Sequence, residues 1–169
     1  MRTPRIAPLL LAALLYPLEL ARATPSAGAA NPAWEKVKSL AGDWSGTYDD
    51  GSSARLSYRL VSSGTAVMET MTTHDSEEMI TVYHPDGTAL RMTHYCSEAN
   101  QSRMRAAGLS PDGKSLTFEF VDVTGAGPDS HVMSGLRFTF VDADHLVAEW
   151  TSRQKGSENT GVFKFARVK

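Results

Sequence analysis

Residues able to do chemistry crowd into one stretch, Met92 to Met104, reading Met-Thr-His-Tyr-Cys-Ser-Glu-Ala-Asn-Gln-Ser-Arg-Met. It holds the only cysteine, Cys96, together with His94, Asn100, Gln101 and Arg103. Polar groups gathered at a strand end are costly unless they pair with something or bind something. Four chemistries follow. In the first, His94, Cys96, Asn100, Gln101 and Arg103 orient the polar end of a small apolar or amphipathic ligand, with Met92 and His131 beside them. In the second, His94-x-Cys96 sets a nitrogen and a sulfur on one strand face and His131 adds a third ligand for haem or a metal. No Cys-x-x-Cys or other zinc spacing accompanies them. In the third, Cys96 is a thiol nucleophile with His94 or His131 as base and Asn100 as orienter. Residues two apart on a strand point the same way without necessarily touching, and no nucleophile elbow or carboxylate pair stands out, so catalysis has the thinnest support. In the fourth, the same residues form a hydrogen-bonded plug and hold nothing.

These side chains need a scaffold, and the hydrophobic pattern supplies one. Asn31-Pro32 offers an N-cap and a proline at the first helical position. Trp34, Val37, Leu40 and Ala41 recur at spacings of three and four, which predicts a short helix over 32–40 ending at Gly42. From Trp44 the period changes to two. Leu56, Tyr58 and Leu60 alternate with Arg55, Ser57 and Arg59, and Leu116, Phe118 and Phe120 alternate with Ser115, Thr117 and Glu119. The pattern predicts strands over 43–49, 54–61, 65–73, 78–84, 88–96, 103–109, 115–122, 131–141, 145–152 and 160–168. Short turn sequences such as His84-Pro85-Asp86-Gly87 and Ser110-Pro111-Asp112-Gly113 join them. About ten short strands joined by hairpins make an antiparallel up-and-down meander, and closing it into a barrel removes both sticky edges. The expected fold is all-β: a single barrel domain over 32–169 with a short N-terminal helix.

The hairpin before the stretch decides which side chains face inward. If Pro85-Asp86-Gly87 is its loop, His84 faces Thr88, Val82 faces Leu90, Ile80 faces Met92 and Glu78 faces His94. The drier face then reads Ile80, Val82, Leu90, Met92, His94, Cys96 and turns inward, with Tyr95 outside. A slip of one residue would exchange the faces and bring Arg91, Tyr83 and Tyr95 inside, a wall better suited to a carboxylate. Glu69, odd in an apolar strand, is expected on the wet face; the alternative is a buried acid paired with an arginine. His74, His84 and His145 read as exposed.

Arg2 and Arg5, the apolar run Ile6 to Leu18 and the small-x-small site Ala21-Arg22-Ala23 predict a signal peptide over 1–23, followed by a small-residue leader over 24–31. The expected product is exported, periplasmic or secreted, with no integral membrane segment after cleavage. Its one cysteine cannot make an internal disulfide, so burial is its ordinary fate. The whole chain carries a net charge of −2, and the expected mature part has 14 basic and 18 acidic residues. Without a concentrated basic surface, nucleic acid is not an expected partner. Composition leaves the oligomeric state open.

Leu40-Ala41-Gly42-Asp43-Trp44-Ser45-Gly46 after a short helix resembles the Gly-x-Trp opening of the calycin group of lipocalins, fatty-acid-binding proteins and avidins. Thr93, His94, Tyr95, Cys96, Asn100, Gln101, Arg103 and Met104 are similar to a signature of bacterial secreted lipocalin-like barrels without an established activity. The resemblance spans residues 40–168. It implies a calycin-type barrel with the tryptophan across its closed bottom and a small-molecule ligand inside. It also implies haem as an alternative, since some calycin-like barrels hold haem through a single histidine.

Overall fold

In a computed structural model, residues 31–74 and 78–169 are described. The expected signal peptide and the leader up to residue 30 lie outside the described residues. Among those described, the chain forms helix α1 (Pro32–Lys38) and strands β1 (Gly42–Tyr48), β2 (Ser53–Val61), β3 (Ala66–Thr73), β4 (Met79–Asp86) and β5 (Ala89–Tyr95). It continues with β6 (Gln101–Ala106), β7 (Ser115–Thr124), β8 (Val132–Phe140), β9 (His145–Gln154) and β10 (Ser157–Arg167). Each strand pairs antiparallel with its neighbour in sequence, and β10 returns to β1, so the sheet is a closed ten-stranded barrel. No helix among the described residues is long and apolar enough to cross a membrane.

The barrel has one end capped by the helix over hairpin turns such as β4–β5 and β8–β9, and an opposite end ringed by turns alone, among them β1–β2, β5–β6 and β9–β10. At the capped end α1 lays Trp34 and Val37 against the core, and Leu40 follows. Trp44 is buried there; its indole N–H donates to the Leu40 carbonyl at 2.8 Å and Arg167 stacks over its ring at 4.2 Å. The Arg167 guanidinium donates to the Ser39 and Ala41 carbonyls, satisfying acceptors that the helix end leaves open. Asn31 ties helix to barrel. Its carboxamide oxygen accepts from the Trp34 N–H, and its Nδ2 donates to the Gly87 and Ala89 carbonyls in the β4–β5 turn. Asn31→Ala is therefore expected to cost about 2 kcal/mol, the upper part of the range for a lost N-cap, because two tertiary bonds go with the cap. A urea midpoint indistinguishable from the parent would contradict this.

The β4–β5 hairpin differs from the expected pairing. The ladder continues through Pro85↔Leu90 and Asp86↔Ala89, leaving a two-residue turn at Gly87 and Thr88, with Gly87 at φ +62°. Glycine in the first central position is what such a tight turn favours. Relative to the expected register the pairing slips by three residues, an odd number, so the face of β4 flips. Leu90, Met92 and His94 face inward as expected, but Met79, Thr81 and Tyr83 face in with them, while Ile80 and Val82 stand on the outer side.

Candidate functional site

Strand register places five inward polar residues in one row across the wall. Tyr58 on β2 pairs with Glu69 on β3, Glu69 with Thr81 on β4, Thr81 with His94 on β5, and His94 with Ser102 on β6. All five are buried. Cross-strand neighbours on one face lie within side-chain reach, so the row is a continuous polar band in a mostly apolar interior. The pair Met92↔Met104 lies next to it towards the capped end.

Glu69 is at the centre, only 2% exposed, so the expected wet-face position is corrected. Its partners are hydroxyls rather than an arginine. Tyr83 donates to Oε2 at 2.8 Å and Thr81 donates to Oε1 at 3.3 Å. Tyr58 stands close enough to hold the carboxyl's pKa down, yet its hydroxyl makes no well-directed hydrogen bond and stays unpaired. Burial nevertheless dominates and raises the Glu69 pKa above its ordinary value. Burial, reinforced by the Glu69 charge, lifts both Tyr58 and Tyr83 well above the usual phenol range, so neither ionises near neutrality.

His94 joins the network through Nδ1, which lies 3.0 Å from the Thr81 hydroxyl. Its ring packs against Trp150 with centroids 4.8 Å apart. Burial pushes its pKa down to about 4, so the imidazole is neutral at neutral pH. Three polar atoms of the row have no protein partner: Tyr58 Oη, His94 Nε2 and Ser102 Oγ. Each buried, unpaired polar atom costs about 1–3 kcal/mol unless water or a ligand meets it.

The other sequence-selected residues divide by face. Asn100 is buried and follows the same inward parity as Ser102; its Nδ2 donates to the His131 carbonyl at 2.9 Å, while its Oδ1 and the His131 Nδ1 are buried without partners. The β7–β8 loop reaches this point because Gly125, at φ +75°, sits on the Ala99 carbonyl, where a Cβ would lie 2.7 Å away. Cys96 is half-buried against the core, and a tight turn binds its N–H to the Asn100 carbonyl. No hydrogen bond joins its sulfur to His94 or His131, so the described residues do not assemble a thiol–imidazole pair. Tyr95 is outside, 49% exposed. Gln101 and Arg103 leave the group. They have the outward parity of β6, where Gln101 accepts from Thr124 at 3.0 Å and Arg103 pairs with Asp122 across the strand. Thus Cys96, Asn100 and His131 come together at the turn-ringed end, Met92 and His94 face inward from β5, and Gln101 and Arg103 turn outward. His84 and His145 are exposed, His145 beside Asp142 at 2.9 Å.

Tyr58, Glu69, Thr81, Tyr83 and Ser102 belong to the site although the sequence reading did not select them. A signal existed: Glu69 sits between Val67 and Met71 at a spacing of two, which puts it on their dry face. Among the described residues no group of three or more His, Cys, Asp or Glu side chains is placed to hold a metal ion. Two imidazole nitrogens, His94 Nε2 and His131 Nδ1, are buried without a protein partner. At the turn-ringed end, a concavity of about 220 Å³ is lined by Tyr48, Asp50, Ser52, Thr73, His74 and Phe163. A second, of about 500 Å³, lies between the β7–β8 loop and the β9–β10 hairpin.

No family model matches this chain, and no curated protein is significantly similar to it. The crystal structure of Rv2717c from M. tuberculosis superposes with a TM-score of 0.61 at 14% identity, covering 82% of this chain and 98% of that one. A protein of unknown function from the DUF3598 family of Nostoc punctiforme superposes with a TM-score of 0.55 at 16% identity, covering 78% of this chain. This chain spans about half of that protein, 49% of its length. Fold and site together define a helix-capped, ten-stranded antiparallel barrel with a buried polar band. At these identities the likeness extends to the fold alone. A barrel of this size is compatible with a small-molecule ligand.

Proposed function

We propose that this chain is an exported, calycin-like barrel that binds a small apolar or amphipathic molecule inside its turn-ringed end. Met92 and Met104 give the molecule an adaptable apolar wall, and His94, Ser102 and Tyr58 meet its polar end. The observation that carries the reading is the row of inward polar atoms left unpaired, Tyr58 Oη, His94 Nε2 and Ser102 Oγ. A barrel selected only for stability gains nothing from burying three atoms that no protein group meets. Export is supported by Arg2, Arg5 and the apolar run Ile6 to Leu18, and calycin kinship by the Gly-x-Trp tryptophan at the helix-capped end.

Native mass spectrometry of protein purified from its own host tests this directly, followed by titration with a panel of lipids, aromatic alcohols and hydrophobic dyes. A bound small molecule is the expected result, and Ser102→Ala is expected to weaken its binding about tenfold, the value of one buried hydrogen bond. Protein that emerges empty and ignores the whole panel would end the proposal. Haem is the second reading, favoured by the unpartnered Nε2 of His94. It requires a Soret band on adding hemin that His94→Ala abolishes.

A further inference from the structure

The hydrogen bonds of the polar row have a direction, and that direction bears on what the row can recognise. With Glu69 ionised and so able only to accept, the one Thr81 proton goes to Oε1 and the Tyr83 proton to Oε2. The 3.0 Å contact between Thr81 and His94 Nδ1 then needs its proton from the imidazole. A neutral imidazole with its proton on Nδ1 carries a bare lone pair on Nε2. That atom is buried and unpartnered. In that tautomer Nε2 is an acceptor that no protein donor meets.

We propose that the row selects a ligand whose polar end donates a hydrogen bond, such as an alcohol, phenol, amine or indole N–H, over a carbonyl or carboxylate, with Glu69 and Thr81 as positioning residues that fix the His94 tautomer. This rests on the small-molecule reading above. The charged and titratable groups that face Glu69 are Tyr58 from β2, Tyr83 from β4 and His94 from β5, and no lysine or arginine among the described residues pairs with it. A carboxylate ligand would enter beside a buried acid and meet an imidazole lone pair, with no fixed cation to receive it. Ser102 Oγ and Tyr58 Oη each have a free lone pair for a second donor as well as a proton to give, so they do not oppose the choice. Were Glu69 to take up a proton and pass it to Thr81, the chain would reverse and Nε2 would become a donor.

Two measurements on the full chain test this. The first is the ¹⁵N spectrum of the His94 side chain at neutral pH, in which protonated and bare ring nitrogens are well separated. A bare Nε2 is expected; a protonated Nε2 overturns the proposal. The second compares indole, which only donates, with 1-indanone, which only accepts; they are similar in size and neither changes charge near neutral pH. Indole is expected to bind about tenfold or more tightly, as one satisfied against one unsatisfied buried acceptor implies. Equal or reversed affinities would overturn the donor preference while leaving the binding reading intact. If neither probe binds, the donor preference falls, and the binding reading stands or falls with the native mass spectrometry. Thr81→Val keeps the side-chain shape and removes the link, so the indole preference should shrink towards unity and the ¹⁵N spectrum should show both tautomers. If that variant keeps the single tautomer and the full preference, Thr81 and Glu69 do not position His94.

Discussion

Gly46→Ala is expected to stop the barrel from closing. Gly46 lies on β1 opposite Phe165 of β10, at the seam where the two ends of the meander meet. A Cβ there would stand 2.1 Å from the Lys164 carbonyl oxygen, 2.6 Å from Phe165 Cδ1 and 2.9 Å from the Lys164 carbonyl carbon. Two of these three atoms are backbone, so no rotamer change relieves the clash; the strands must part. Overpacking a core usually costs about 1–3 kcal/mol, and here the rigid neighbour sets the cost at about 3 kcal/mol or above. That is a large share of the roughly 5–15 kcal/mol of a whole domain. Parting β1 from β10 also restores the two unpaired edges that closure removes, so aggregation should accompany the lost stability. Gly127→Ala is the control. Its nearest neighbour would be Ser130 Oγ at 3.9 Å, and its urea midpoint should stay within about 0.5 kcal/mol of the parent. A Gly46→Ala protein that unfolds at the parent's midpoint would show that the seam yields more easily than these distances allow.

The architecture was legible because two simple signals agree along the chain. Alternation such as Leu56, Tyr58, Leu60 marks strands, and Asp-Gly or Pro-Asp-Gly sequences mark where they reverse. Asn31-Pro32 likewise announced the helix, which stops at Lys38 rather than at residue 40 because Ser39 takes the cap position. The register of the β4–β5 hairpin was not legible. Pro85 and Asp86 look like turn residues, yet in a closed barrel they serve as the last two rungs of the ladder, and only Gly87 and Thr88 turn. That local choice decides whether Ile80 and Val82 or Thr81 and Tyr83 face the lumen. Average hydrophobicity favours the first answer, and the hydrogen-bonding demand of Glu69 is met by the second. Periodicity alone cannot weigh that demand, since it treats Thr81 as merely polar. The stretch Met92 to Met104 was legible in half: parity along β5 placed Met92 and His94 correctly. Gln101 and Arg103 need the strand to begin at Gln101, which sends both to the outer face, where Thr124 and Asp122 receive them.

Acid should weaken this protein through His94 before its surface carboxylates titrate. The imidazole's pKa falls from 6.5 to about 4 on folding, because burial penalises its charged form. The stabilisation is therefore fully present above pH 6.5 and is lost as pH falls towards 4. A shift of that size corresponds to about 3 kcal/mol over the window. Glu69 works in the opposite sense. Its pKa is raised above 4.5 by burial, so its contribution is present below 4.5 and is lost as pH rises through the folded value. The two slopes oppose each other in the parent, and single substitutions separate them. Glu69→Gln removes the compensating group, so stability should fall more steeply than in the parent between pH 6.5 and 4.5. His94→Gln removes the acid-sensitive group, and the remaining Glu69 should make that variant flat or more stable as pH falls. Asp50, Asp86, Asp112 and Asp142 have lowered pKa values, so their losses begin below about 4 and leave the window clear. Urea midpoints from pH 8 to 4.5 read the difference. Identical slopes in the two variants would mean that His94 is protonated in the folded barrel as easily as in water, and the neutral imidazole on which the proposed recognition rests would be lost with it.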